Sequence, residues 1–322
     1  MKYFRGIISL LLFGFLVSCD APKLNPLDPQ NPDYHLVAID GFVKNLAGAH
    51  QPISGVNVLW KNQNIVLETD ASGYFKIDQL LPQSGTIVFE KEGYSTKDSL
   101  ISFENQKTLH LEILLNAIPK SVELAIYTSV LNRYPDVQYD SLFIKAKVSD
   151  AENEIDSVFV RCTELNINKA LELNPSSGYY ENKFSPGDLK LNFLDEGIGK
   201  NFEIIVRDRS NKSFIVDSST IKRVIRKDII FRSPANLEIV TNPTKFIWER
   251  FLPGFNFKYM IEIYKKSVSP PVLVKQWPDI PKGDIEFTSA IVLPRGEYFW
   301  VIWTIDEFNN RARSREASFV VQ

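Results

Sequence analysis

Cysteine is nearly absent: 322 residues hold two, Cys19 and Cys162. Two cysteines can form at most one bridge, so no disulfide framework holds this protein together. Cys162 falls on the same alternation face as Val158 and Val160 in Asp156–Thr163, which predicts a buried, unreactive thiol. An excess of positive charge is also missing. Lys and Arg number 37 against 39 Asp and Glu, a formal net charge of −2. Nucleic acid, whose binders need clustered cations to displace counterions from phosphate, is not an expected partner. No apolar run of membrane-spanning length follows the first 20 residues. Histidine is scarce, and the three present (His35, His50 and His110) have unrelated spacings. A metal site needs about three converging ligands, so none is expected, and no cofactor either. No Gly-x-Ser-x-Gly, phosphate-binding glycine loop or dinucleotide fingerprint occurs. The adjacent carboxylates Asp195 and Glu196 lie beside Gly197, and neighbours in an extended chain point to opposite faces, which suits a solvated loop better than an acid–base pair. The expectation is a protein that is not an enzyme.

What is present begins at the first residue. Lys2 and Arg5 precede an apolar run from Ile7 to Val17, closed by Leu16-Val17-Ser18-Cys19. As a helix that run reaches about 16 Å, roughly half of the ~30 Å hydrocarbon core of a bilayer, which makes it an export signal and not a span. Leu-Val-Ser-Cys resembles the lipobox of bacterial lipoproteins. That resemblance implies cleavage before Cys19, palmitate-type acylation of Cys19 and anchoring to the membrane by lipid. The expected address is the outer membrane, with inner-membrane retention, the choice that Asp20 implies in enteric bacteria, left open, and with the periplasmic and cell-surface faces both open. Residues 19–34 carry four prolines (Pro22, Pro26, Pro29 and Pro32), which remove donors and fix φ, so this stretch reads as a semi-rigid tether.

Beyond Tyr34 the chain alternates apolar and polar residues in short runs bounded by Gly, Pro, Asn and Asp, as in Leu142-Ile144-Ala146-Val148 and Phe202-Ile204-Val206. No window keeps a helical period over a dozen residues. The expected fold class is all-β, with three tandem β-sandwich domains after the signal peptide (1–18) and the tether (19–34). The first, 35–118, carries in order Gly41-Phe42-Val43, Pro52 to Val58, Thr69-Asp70-Ala71-Ser72-Gly73-Tyr74-Phe75-Lys76-Ile77 and Phe89 to Tyr94. This order resembles the carboxypeptidase regulatory-like domain, a transthyretin-like β-sandwich. The second, 119–226, with Val148-Ser149-Asp150 before Ile155-Asp156-Ser157-Val158 and Gly178-Tyr179-Tyr180 further on, looks like an immunoglobulin-like domain. The third, 227–322, is similar to fibronectin type III repeats. It has an early Trp248, then Gly296-Glu297-Tyr298-Phe299-Trp300, then Asp306 and the Asn-rich turn at Asn309-Asn310.

Aromatic residues supply the site expectations. Trp60 shares a face with Val58 and Val56 and reads as core; Trp248 reads as core by its place in the repeat; Trp277 reads as a surface edge residue. In the strand 298–304 the fibronectin resemblance turns Tyr298, Trp300, Ile302 and Thr304 inward. The other face then carries Phe299, Val301 and Trp303, joined from a neighbouring strand by Met260 and Tyr264. These five are the candidate partner-binding patch, expected to be exposed and apolar. The function that composition, motifs and resemblance imply is a non-catalytic binding or scaffolding lipoprotein that meets an envelope or extracellular protein. A carbohydrate-binding surface lipoprotein is the alternative, with Trp60, Trp277 and Trp303 as its aromatic faces.

Overall fold

In the computed structural model, residues 31, 35–104, 106–266 and 270–322 are described. The export segment, Cys19 and all of the tether except Asn31 lie outside them. The chain divides into two compact units, 1–117 and 118–322.

The first unit is a sandwich of two sheets. Its strands are β1 (Val37–Asn45), β2 (Asn57–Trp60), β3 (Ile65–Glu68), β4 (Tyr74–Leu80), β5 (Gly85–Glu90), β6 (Lys97–Ile101) and β7 (Thr108–Leu115). One sheet has the order β4-β1-β7 and the other β3-β2-β5-β6. Alternation sends Ile39, Val43, Phe75 and Ile77 of the first sheet into one core with Val58, Trp60, Ile87 and Phe89 of the second. The rings of Phe75 and Phe89 meet edge to face at 5.4 Å. Two glycines are sterically required. A Cβ on Gly41 in the central strand β1 would lie 2.0 Å from the Leu111 carbonyl oxygen of β7. Gly73 has φ +74°, and a Cβ there would meet the Val43 carbonyl oxygen at 2.5 Å. The turn before it is tied by Asp70, whose Oδ1 accepts hydrogen bonds from Ser72 N (2.8 Å), Ser72 Oγ (2.7 Å) and Tyr74 N (2.9 Å).

The second unit starts with β8 (Lys120–Arg133), β9 (Val137–Ser149), β10 (Ile155–Cys162), β11 (Ile167–Asn174), β12 (Tyr179–Phe184), β13 (Asn201–Asp208) and β14 (Ser213–Thr220). They form one antiparallel run, β14-β13-β10-β11-β12-β9-β8. The run curls round a core in which Ile126, Leu142 and Ile144 share a cluster with Val158, Val160, Phe202 and Ile204. Ser121 of β8 donates to Asp217 of β14 at 2.6 Å, bringing the two ends of the curl together. Cys162 lies buried in this core, as its alternation face predicts.

The remaining strands are β15 (Phe231–Ser233), β16 (Glu238–Val240), β17 (Lys245–Trp248), β18 (Phe257–Lys265), β19 (Val272–Pro281), β20 (Glu286–Thr288), β21 (Gly296–Asp306), β22 (Arg311–Arg313) and β23 (Ala317–Val321). A small sheet, β15-β17-β20, shares a core with β18, β21 and β23. Trp248, Tyr259, Tyr298, Trp300 and Phe319 fill that core, and the buried Trp300 indole donates to the Pro234 carbonyl at 2.8 Å.

These two cores belong to one unit because a sheet runs through both. Strand β22 pairs in parallel with β8, setting Arg311 opposite Ser129, Ala312 opposite Val130 and Arg313 opposite Leu131. At 14 residues β8 is long enough to serve twice: Ile126 packs in one core and Val130 in the other. The sequence places a module boundary at 226, and the hydrogen-bonded sheet crosses it. The crossing is held by the tight turn 306–310. Asp306, its side chain fully buried, accepts from Phe308 N (2.9 Å), Asn310 N (2.8 Å) and Asn310 Nδ2 (3.0 Å), and Arg223 Nε stands 3.1 Å from its second oxygen. The Asn310 side-chain oxygen then accepts from the Thr128 backbone N (2.9 Å) and hydroxyl (3.2 Å). Asn310→Ala leaves Thr128 N and an Asp306 oxygen short of partners in a buried site, at about 1–3 kcal/mol for each unsatisfied group. Chemical denaturation is expected to show a loss of several kcal/mol confined to the second unit, with the first unit's transition unmoved.

Candidate interaction face

Strands β18 and β21 are paired so that Met260 faces Trp303, Glu262 faces Val301 and Tyr264 faces Phe299. Alternation turns Tyr259, Ile261, Ile263, Tyr298, Trp300 and Ile302 into the core and leaves the first six on the opposite side of the sheet. The five residues of the candidate patch are therefore brought together as a group. Their expected exposure is corrected. Met260 is 7% exposed, Phe299 6% and Val301 0%, while Tyr264 and Trp303 are half-buried. The reason is a carboxylate among them. Glu262 Oε2 accepts hydrogen bonds from the Trp303 indole (2.8 Å) and the Tyr264 hydroxyl (2.9 Å), and Tyr264 stacks on Phe299 with ring centroids 5.0 Å apart and planes 7° from parallel. Gln276 contacts the Met260 sulfur from β19. The rings are thus drawn down toward Glu262 instead of standing off the sheet. Burial, and then the Glu262 hydrogen bond, push the Tyr264 phenol up to about 12.

The same side of the sheet continues past β21. Register carries Trp303 to Arg313, Arg313 to Leu131 and Leu131 to Tyr139; the next row runs Ile305, Arg311, Ser129 and Ser141; the next holds Tyr127, Phe143 and Lys183. Aromatic rings and cations alternate along it. The Arg311 guanidinium lies 4.7 Å from the Tyr127 ring centre, the Lys183 ammonium 5.6 Å from that of Phe143, and the Arg133 guanidinium 5.5 Å from that of Tyr139. Tyr127 and Phe143 are stacked at 5.1 Å, 4° from parallel. None of Arg133, Lys183 and Arg311 has a carboxylate partner among the described residues. Sequence reading missed this extension. Each strand's alternation was visible, but only the β22–β8 pairing sets the third module's outward side chains beside those of the second.

Other candidates have structural roles. Trp60 and Trp248 are buried in their cores. Trp277 packs on Phe287 at 5.2 Å, and Trp303 is bound to Glu262, so the aromatic faces first considered for a sugar are engaged within the protein. His110 pairs with Asp40 at 2.5 Å, and His50 contacts the Asn45 carbonyl at 3.0 Å. Among the described residues no group of three or more His, Cys, Asp or Glu is placed to hold a metal ion. Asp195 is ion-paired with Arg226, while Glu196 accepts from the backbone N of Asn192 and Phe193 at 2.8 and 3.0 Å.

In the first unit the ordered segments quoted from the sequence fall on β1, the entry to β2, the Asp70 turn with β4, and β5 with its exit. Residues 39–124 match the family model of the CarboxypepD_reg-like domain. The match starts at Ile39 inside β1, runs through the remaining strands of the first unit and ends at Leu124 inside β8, leaving the rest of the second unit outside it. A search of curated proteins finds no match. Solved structures with a similar course include the chicken CNTN1 FN1–FN3 domains (8% identity, 83% of this chain and 90% of that one, TM-score 0.34). The fibronectin(III)-like modules of Clostridium thermocellum CbhA are also similar (9% identity, 63% and 93%, TM-score 0.31). A third is the Bacillus anthracis TIE protein (11% identity, 89% and 48%, TM-score 0.26), of whose length this chain spans about half. At these scores the likenesses add nothing to the all-β sandwich fold that the strands themselves show.

The Tyr264 phenol gives a test of how the face is closed. Its value in the folded protein, about 12, exceeds the ordinary 10.0, so the folded state holds this proton more tightly than the unfolded chain. The stability it contributes is complete below pH 10 and is lost as pH rises from 10 through 12. Unfolding followed across that range should show a fall in stability that is reduced in Tyr264→Phe; equal slopes would mean that the phenol is not held by burial and Glu262.

Proposed function

We propose that this protein is a non-catalytic lipoprotein of the bacterial outer membrane, anchored through acylated Cys19, that acts as a binding or scaffolding module in the cell envelope. The observation that carries the reading is the sheet shared by the second and third modules. It gives one rigid body with a broad face of aromatic and cationic side chains, the kind of surface that recognises a partner, while His110 and Asp195, two of the candidates for chemistry, are held in ion pairs with Asp40 and Arg226. The leader's charged start, short apolar run and Leu-Val-Ser-Cys ending support the lipid anchor. Either an envelope protein or a glycan suits such a face.

Labelling cells with radioactive palmitate tests the anchor, and assays of the purified chain test the role. The label is expected on the wild-type chain in the membrane fraction, with Cys19→Ala unlabelled and released, and with no turnover of peptide, ester or glycoside substrates. A labelled Cys19→Ala chain, or turnover by the wild type, would contradict the proposal.

A further inference from the structure

Beside the seam of the shared sheet lies a cleft of about 460 Å³, lined in part by Arg133, Tyr139, Ser141, Lys183, Ser185 and Asp188. It exists because of residue size. Ser129 and Ser141 form a low row between the taller Tyr127–Phe143 and Leu131–Tyr139 rows, so the surface dips there. Tyr139 is 53% exposed. The Arg133 guanidinium lies over one side of that ring, and Lys183 rises from the neighbouring strand β12. Two cations without carboxylate partners thus flank the cleft, on a chain whose net charge is −2.

The cleft also contains two carboxylates: Asp140, whose side chain is buried and ion-paired with Arg226 at 2.6 Å, and Asp188. Asp188 Oδ2 accepts from Ser185 N (2.8 Å) and Ser185 Oγ (2.7 Å), and these bonds hold its carboxyl below the usual range, so it stays ionised. No hydrogen-bond donor among the described residues reaches its Oδ1. The lining therefore asks for three things in one small ligand: an apolar ring edge for Tyr139, an acid for Arg133 and Lys183, and hydroxyl donors for Asp188. A run of acidic peptide side chains supplies the acid alone and meets repulsion at Asp188. A neutral sugar leaves both cations unused.

We propose that this cleft binds an acidic saccharide, with a uronic-acid ring against Tyr139, its carboxylate between Arg133 and Lys183, and its hydroxyls donating to Asp188. The inference deepens the binding reading above and rests on it.

Calorimetric titration of the full-length chain in detergent with oligogalacturonate and oligoguluronate tests it, with a galactose oligomer of equal length and poly-glutamate as comparisons. At least one uronate oligomer is expected to bind, with the galactose oligomer about tenfold weaker or worse and poly-glutamate failing to compete. Lys183→Ala and Tyr139→Ala, both exposed sites, should each weaken binding by roughly fivefold or more while circular dichroism stays that of the wild type. Binding of neither uronate, equal competition by poly-glutamate, or unchanged affinity in both variants would overturn the proposal. Those failures leave a non-catalytic anchored binder standing; substrate turnover would instead remove the broader reading.

Discussion

A carboxylate removed from water must be fully compensated, and Asp306 is the place where this protein meets that demand. Its side chain is wholly buried at the end of β21, where two backbone N–H groups, the Asn310 amide and the Arg223 guanidinium surround it. The bonds to Phe308 N and Asn310 N fold the chain into a tight turn with Asn309 at φ +65°. That turn aims the three residues of β22 at β8 and places the Asn310 carboxamide where it can accept from Thr128. Hydrogen bonds in such a site reinforce one another, since the low local dielectric strengthens each bond and penalises each missing partner. One buried charge thus fixes a turn, a strand direction and the register between two modules.

The functional consequences follow from that register. Two β-sandwiches joined by a flexible linker present separate surfaces whose relation changes from moment to moment. Here β8 belongs to both cores, and further polar bonds tie the seam: Asn132 Nδ2 to the Arg313 carbonyl at 2.9 Å, and Arg315 to Asp228 at 3.0 Å and to the Pro135 carbonyl at 2.7 Å. Side chains on β9, β8, β22, β21 and β18 are therefore held at fixed spacing on one side of one sheet. Preorganisation of this kind lowers the entropic cost of recognition, which is why a rigid face suits a binding role better than its individual contacts would suggest. Next to the third core the face is closed by its own hydrogen bonds around Glu262; toward the second it opens into the cleft at Tyr139.

Much of this was legible from residue order. The fibronectin-like pattern identified the inward side chains of β21 (Tyr298, Trp300 and Ile302), and period-two alternation the buried position of Cys162, because burial of one sheet face leaves a direct trace in sequence. The Asp70–Gly73 turn was readable for a similar local reason: a carboxylate that caps its own turn and a glycine at positive φ are neighbours in the chain. What stayed hidden depends on long-range pairing. Nothing in residue order shows that Trp303 and Tyr264 share an oxygen of Glu262, the contact that closes the patch expected to be exposed. The Asp306 and Asn-rich turn was visible as part of a fibronectin-like pattern, yet its partner Thr128 lies 182 residues from Asn310. No local spacing announces that contact, nor the row of cations and rings that the β22–β8 pairing assembles.

The central claim is that the second and third modules form one cooperative body through the Asp306–Asn310 turn. Native-state hydrogen exchange of the full chain measures this directly, by comparing amides of β10 and β13 in one core with those of β18 and β21 in the other. A single shared opening free energy for both sets, distinct from that of β1 and β5 in the first unit, is the predicted result. Two different opening energies, with one core exchanging while the other stays protected, would contradict it.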